Sequence, residues 1–324
     1  MSAPAGPGTP PQGIPVWKAW ARLIRVPNLL TVPGDPLAGF IIAAAGHLDR
    51  PMLLPMLAVA IASLCLYLFG LFVNDVVDVE VDRVERPDRP LPSGQLTVLQ
   101  VRMAAVAAVL SGLNVALVAG PAALCVAGAL AVLILAYNVA LKGVPVAGVC
   151  AMGLCRGLSV LLGVAAARPE WFTAVPDVSC APAALAAAAV AAYVIAVSVV
   201  AKGEMTAAPE EPPMGAARWV PFAVLLAALP AVLIASTALG QTEGTAPLVF
   251  VFLMVMALMQ AWLLGGLLYR VQPVPDTVGG HIRNLLRVQA CLCVAAGMAG
   301  VFPAFFLMAL SFLFPRLAKH FYSS

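Results

Sequence analysis

The chain has 324 residues, with 18 Lys and Arg against 15 Asp and Glu and a formal net charge of +3. Hydrophobic residues make up 62% of it and charged residues 10%, where soluble domains carry about 25%. With a mean hydropathy of +0.99, this composition excludes a soluble globular domain or a nucleic-acid-binding module, and its long uninterrupted apolar runs exclude barrel strands. The expected fold class is all-α, a polytopic membrane bundle.

Residues 1–16 are rich in Pro and Gly and carry no charged side chain. They read as a disordered tail without the apolar core of a signal peptide. Residues 17–27 read as an interfacial helix, with Trp17 and Trp20 beside Lys18, Arg22 and Arg25. The rest, 17–324, reads as a single transmembrane domain. Apolar runs near the length of a span fall at 29–47, 53–75, 99–119, 121–141, 145–167, 181–201, 219–239, 246–269 and 289–315, a bundle of about nine helices. The first is interrupted by Pro33, Asp35 and Pro36, and the last by Pro303. Asp35 before Pro36 reads as an N-cap with proline at the first helical position.

With the N-terminus in the cytoplasm, most Lys and Arg fall on inside connections, among them Arg83, Arg86, Arg89, Lys142, Lys202 and Arg283. Only Arg50, Arg168, Arg316 and Lys319 fall outside, a positive-inside pattern. The expected location is therefore a bacterial inner membrane with the N-terminus cytoplasmic. Two long inside connections, 76–98 and 202–218, sit at similar places in the two halves and hint at an internal duplication. Six of the seven cysteines lie in spans, where they serve as small apolar residues, and the three histidines are isolated.

The second span ends in Asn74-Asp75-Val76-Val77-Asp78-Val79-Glu80-Val81-Asp82. Asp75, Asp78 and Asp82 are spaced i, i+3, i+7, which sets all three on one helical face, and Asn74 joins the stripe. Three like charges there repel unless a cation lies between them, and hard oxygens of this kind suit Mg²⁺. The candidate metal ligands are Asn74, Asp75, Asp78 and Asp82. Downstream, Arg86 and Arg89 stand in a proline-rich loop, and arginine forks suit phosphate oxygens. Arg156 lies inside a predicted span. It binds either an acidic acceptor or phosphate, or it pairs with a buried carboxylate or helix carbonyls.

The run Asn-Asp-x-x-Asp-x-x-x-Asp followed by Arg-Pro-x-Arg-Pro-Leu-Pro-Ser-Gly resembles the first motif of the UbiA superfamily of intramembrane prenyltransferases. Arg25-Val26-Pro27-Asn28 resembles the start of that family's first helix, and Tyr137-Asn138 with Lys142 resembles its Tyr…Lys element. The resemblance implies Mg²⁺ and a prenyl diphosphate at Asn74, Asp75, Asp78 and Asp82. It implies Arg86, Arg89 and Lys142 as diphosphate partners, and Asn28 and Tyr137 as substrate contacts; Arg156 and Lys202 are further candidate substrate contacts read from the residues themselves. The family's second aspartate motif has no full counterpart after the sixth span. Glu204 is the acid left to serve as a ligand there, with Lys202 neutralising diphosphate directly and Glu210 and Glu211 further on. This degenerate second half is similar to the EboC-like branch.

The implied activity is transfer of a polyprenyl group from a prenyl diphosphate to an aromatic or other small acceptor. Tyr67, Phe69, Phe72, Tyr137 and Tyr193 are the aromatic faces available to steady an allylic cation. The alternative is a non-catalytic carrier of a lipid-linked or aromatic precursor on the same scaffold.

Overall fold

The computed structural model describes residues 15–173, 175, 177–206, 215–266 and 274–322. All its regular structure is helical, with no strand among the described residues. The expected tail at 1–14 lies outside them. α1 (Val16–Ile24) turns Ala19 and Leu23 inward and leaves Trp17 exposed, as an amphipathic interfacial helix must. It ends at Arg25, whose φ of 52° is left-handed.

α2 (Val26–Leu29) and α3 (Gly34–Ala43) follow. α3 has ten residues, a length of about 15 Å, so the full span expected at 29–47 is a short apolar helix instead. Asp35 is not its N-cap, since Pro33 holds that position and Asp35 sits in the first turn. α4 (Leu53–Val77) carries the acid stripe at its end and, after one irregular residue at Asp78, continues as α5 (Val79–Glu85). A proline-rich loop leads to α6 (Val98–Ala119), opened by a reciprocal cap between Thr97 and Gln100. Next come α7 (Pro121–Ala136), α8 (Pro145–Ala167), α9 (Ala181–Thr206), α10 (Val220–Ala238) and α11 (Ala246–Gly265).

Seven helices among the described residues are long and apolar enough to cross a membrane, and the chain is an integral membrane protein. They correspond to the expected spans from 53–75 to 246–269. The ninth expected span does not hold as one helix. α12 (Val274–Val294) ends within it, the backbone breaks at Gly297 with φ 92°, and α13 (Val301–Tyr322) begins anew. α12 carries too many polar residues to read as a span. Yet His281, Asn284 and Gln289 are at most 1% exposed, because α3, α9, α11 and α13 surround the helix.

Two apolar cores fill the bundle. One gathers around α4, α6 and α7, the other around α9 to α13, and α3 and α8 serve both: Phe40 and Leu162 face the first, Ile41 and Val160 the second. Glycine makes that shared crossing possible. A Cβ on Gly163 would lie 1.9 Å from the Pro36 carbonyl oxygen, and one on Gly39 2.0 Å from that of Val160, so the two backbones touch.

Candidate active site

Phe69, Leu71 and Phe72 bury the last apolar turns of α4, and Asn74 begins its polar end. Helical bonding continues across the irregular residue, from the Asp78 N–H to the Asn74 carbonyl at 2.9 Å and from the Asp82 N–H to the Asp78 carbonyl at 2.8 Å. The stripe therefore keeps its helical spacing. Asp75 and Asp82 are 6% and 5% exposed, so neither charge is relieved by open water.

Each carboxylate meets a cation from a different part of the chain. Arg25, at the end of α1, reaches Asp75 Oδ1 with Nη2 at 3.2 Å. Arg89, from the proline-rich loop, reaches Asp82 Oδ2 with Nη1 at 2.5 Å. Lys142, beyond α7, pairs with Asp78 and also donates to Asn74 Oδ1 at 2.8 Å. The Asn74 amide in turn donates to Asp75 Oδ1 at 3.2 Å.

Local structure explains how these cations arrive. The end of α7 widens into a π-helical turn over Tyr137–Leu141, with the Lys142 N–H bonded to the Tyr137 carbonyl at 2.9 Å. The extra residue in that turn rotates Lys142 toward α4. Such turns concentrate at functional sites. The loop bearing Arg89 is folded on itself by the Ser93 hydroxyl, which donates to the Arg89 carbonyl at 2.7 Å, and anchored by buried Leu91 and Leu96.

The other expected site residues divide. Arg86 is exposed, with no side-chain partner among the described residues. Tyr137 is half-buried within the π-helical turn. Asn28 stands on α2, three residues after Arg25, and its carbonyl accepts from the Thr31 hydroxyl at 3.0 Å. Lys202 donates to the Pro145 carbonyl at 3.2 Å, next to the Lys142 segment. The Glu204 side chain, Glu210 and Glu211 lie outside the described residues.

Arg156 is brought elsewhere. Its Nε pairs with Asp35 Oδ2 at 2.7 Å and its Nη2 donates to the Thr31 carbonyl at 3.0 Å. Of the two alternatives open for Arg156, the structure places it with a buried carboxylate, and with the Thr31 carbonyl in the turn between α2 and α3. Tyr193 is also occupied: its hydroxyl bonds His281 and receives the Asn284 amide at 3.3 Å. Phe72 stacks edge-on with Trp20 at 5.9 Å.

Asn74, Asp75, Asp78 and Asp82 offer the hard oxygens that Mg²⁺ takes, so the donor set fits that ion. As the side chains stand, Arg25, Lys142 and Arg89 hold those oxygens, and no three His, Cys, Asp or Glu converge on a metal-sized point among the described residues. For these oxygens to hold an ion, Arg25, Lys142 and Arg89 would have to release the carboxylates or share them.

A sequence model described as the UbiA prenyltransferase family matches residues 36–273, well over half the chain. The chain belongs to the UbiA prenyltransferase family. Among curated relatives in sequence, a digeranylgeranylglyceryl phosphate synthase of Methanoculleus marisnigri is 36% identical over 152 residues, 47% of this chain and 53% of that protein. The same-named protein of Methanothrix thermoacetophila is 31% identical over 164 residues, 51% of this chain and 60% of that one. The chain thus spans about half the length of the curated relatives it matches.

Solved structures share the family fold. A UbiA homologue from Aeropyrum pernix superposes with a TM-score of 0.61 at 18% identity, over 82% of this chain and 97% of that one. A UbiA homologue from Archaeoglobus fulgidus, bound to GPP and Mg²⁺, superposes at 0.51 with 15% identity, over 85% and 99%. The bacterial origin expected from the sequence gains no support from these relatives, which are archaeal.

Three residues around this UbiA-family site escaped the sequence reading as functional candidates. Arg25 was visible only as part of a motif, and its left-handed backbone has no sequence signal in a non-glycine residue. Asp35 and Gln289 were each signalled by one polar residue in an apolar run. Only the fold shows that they bond each other.

Proposed function

We propose that this UbiA-family chain is an Mg²⁺-dependent prenyltransferase that moves a prenyl group from its diphosphate to a small acceptor. One observation carries the reading: three carboxylates on one helical stripe, each matched by a cation from a separate element, at the end of an apolar bundle. A carrier has no need for so many convergent charges at the membrane boundary.

Asn74, Asp75, Asp78 and Asp82 would hold the metal, which when bound neutralises the departing diphosphate. Lys142, Arg25 and Arg89, freed from the carboxylates, would then bind diphosphate oxygens, with exposed Arg86 closing from the loop. The allylic carbon–oxygen bond breaks and its electron pair leaves with the diphosphate. The prenyl tail lies among apolar helices, where exclusion of water keeps the allylic cation for the acceptor. The acceptor nucleophile bonds the prenyl carbon, and its proton passes to the released diphosphate. Residues 17–324 form one transmembrane domain in this reading, with the N-terminus and the acid stripe on the cytoplasmic face.

The test is product formation in nanodiscs from geranyl, farnesyl or geranylgeranyl diphosphate with a panel of aromatic and lipid-alcohol acceptors, read by mass spectrometry. A prenylated product supports the transferase. Saturable donor binding with the donor recovered intact across the panel would support a carrier instead.

A further inference from the structure

A buried polar network outside the acid stripe grips the segment that carries Arg25 and Asn28. Asp35 and Gln289 are fully buried, and Thr31 is 4% exposed. Gln289, on α12, donates from one amide nitrogen to Asp35 Oδ1 at 2.6 Å and to the Thr31 carbonyl at 2.7 Å. Arg156, on α8, holds the same two groups, Asp35 at 2.7 Å and the Thr31 carbonyl at 3.0 Å. Two helices far apart in sequence thus clamp one five-residue stretch, 31–35.

From Thr31 the bonding runs on toward the stripe. The Thr31 hydroxyl and N–H both donate to the Asn28 carbonyl, at 3.0 and 3.2 Å. The Asn28 N–H donates to the Arg25 carbonyl at 2.9 Å, and the Arg25 guanidinium meets Asp75 at 3.2 Å. Hydrogen bonds linked through the covalent frame of Thr31, Asn28 and Arg25 therefore run from Gln289 and Arg156 to Asp75. At its far end Arg25 is held in a left-handed conformation, φ 52°, which a non-glycine residue keeps only when its surroundings impose it.

Stability alone gives little reason for such a network. Replacing a buried ion pair with packed apolar residues is often neutral or stabilising, and ionisable groups within a membrane bundle generally serve function. Gly34 shows that the fold makes room for this one. A Cβ there would lie 2.2 Å from Gln289 Oε1, so the amide fits only against a bare α-carbon.

We propose that Gln289, Arg156 and Asp35 are positioning residues, which set Arg25 and Asn28 for the diphosphate by clamping Thr31. The turnover arm of the test rests on the prenyltransferase reading, whereas the backbone arm does not. Gln289→Met keeps the Asp35–Arg156 pair and removes only the α12 half of the clamp, and Gly34→Ala displaces the amide by crowding.

Hydrogen exchange on the full chain in nanodiscs is expected to show amides 28–32 exchanging about tenfold faster in both variants, with α4 and α8 unchanged. KM for farnesyl diphosphate should rise about tenfold in Gln289→Met with kcat within about threefold. The double variant with Arg25→Ala should raise KM by less than the product of the two single effects, because part of the Gln289 effect passes through Arg25. Unchanged exchange at 28–32, or additive effects on KM, would overturn the proposal. A wild-type protein that turns over no donor would instead refute the transferase reading, and the exchange result would still decide the positioning role.

Discussion

Lys142 reaches the carboxylate of Asp78 because the helix before it takes one extra residue into its last turn, over Tyr137–Leu141. An α-helical turn there would set Lys142 about 100° further round, away from α4. The same lysine bonds Asn74, so a single cation bridges two members of the stripe.

Two variants separate the charge of Lys142 from its placement. Lys142→Met should reduce prenyl transfer by about 100-fold through loss of charge stabilisation in the transition state. Deleting Ala140 keeps the lysine but removes the extra residue, and should reduce transfer by a similar factor. Assays on equal amounts of inserted protein check both. Full activity in the deletion would show that the wide turn does not matter.

Arg25→Gly removes a side chain that pairs with Asp75 and also relieves a left-handed residue. Glycine takes positive φ without the Cβ penalty, about 1 kcal/mol for other residues. Thermal unfolding in detergent should therefore show Arg25→Gly more stable than Arg25→Ala, which loses the same pair with buried Asp75 but keeps the strained backbone, while KM for the donor rises in both. Equal stability of the two variants would contradict strain at Arg25.

Arg156→Met leaves the carboxylate of Asp35 buried without its cation and should cost about 3–5 kcal/mol. Asp35→Leu combined with Arg156→Met removes both charges and should recover most of that loss. Unfolding curves for the single and double variants check the sign. An equal loss in both would contradict the pairing.

Gly163→Val is expected to unfold the α3–α8 crossing, since its Cβ would stand 1.9 Å from a backbone oxygen that cannot retreat. The loss should exceed about 3 kcal/mol, the upper range for overpacking, and the readout is the yield of monodisperse protein together with its melting temperature. Gly128→Ala, at a glycine with open space around its Cβ position, is the matched control and should be silent.

Much of this was legible in the chain. Apolar length marks α4 and α6 to α11, because lipid selects for it whatever the tertiary partners. The acid stripe was legible because helical spacing alone aligns Asp75, Asp78 and Asp82. α12 was not, since hydropathy scores His281, Asn284 and Gln289 by what they cost in lipid. Their partners are in protein: Tyr193, the Ala257 carbonyl and Asp35. The placement of Arg156 was hidden for the same reason, as no spacing rule relates it to Asp35 in another helix. The wide turn before Lys142 was hidden because no residue type there demands it.

The most direct measurement is pyrophosphate release by the purified chain with a prenyl diphosphate and an acceptor panel, with and without Mg²⁺, beside Asp78→Asn. The account predicts release that requires both the ion and Asp78, with the variant inserted normally in the membrane. Release of equal rate from Asp78→Asn, or release indifferent to Mg²⁺, would contradict it.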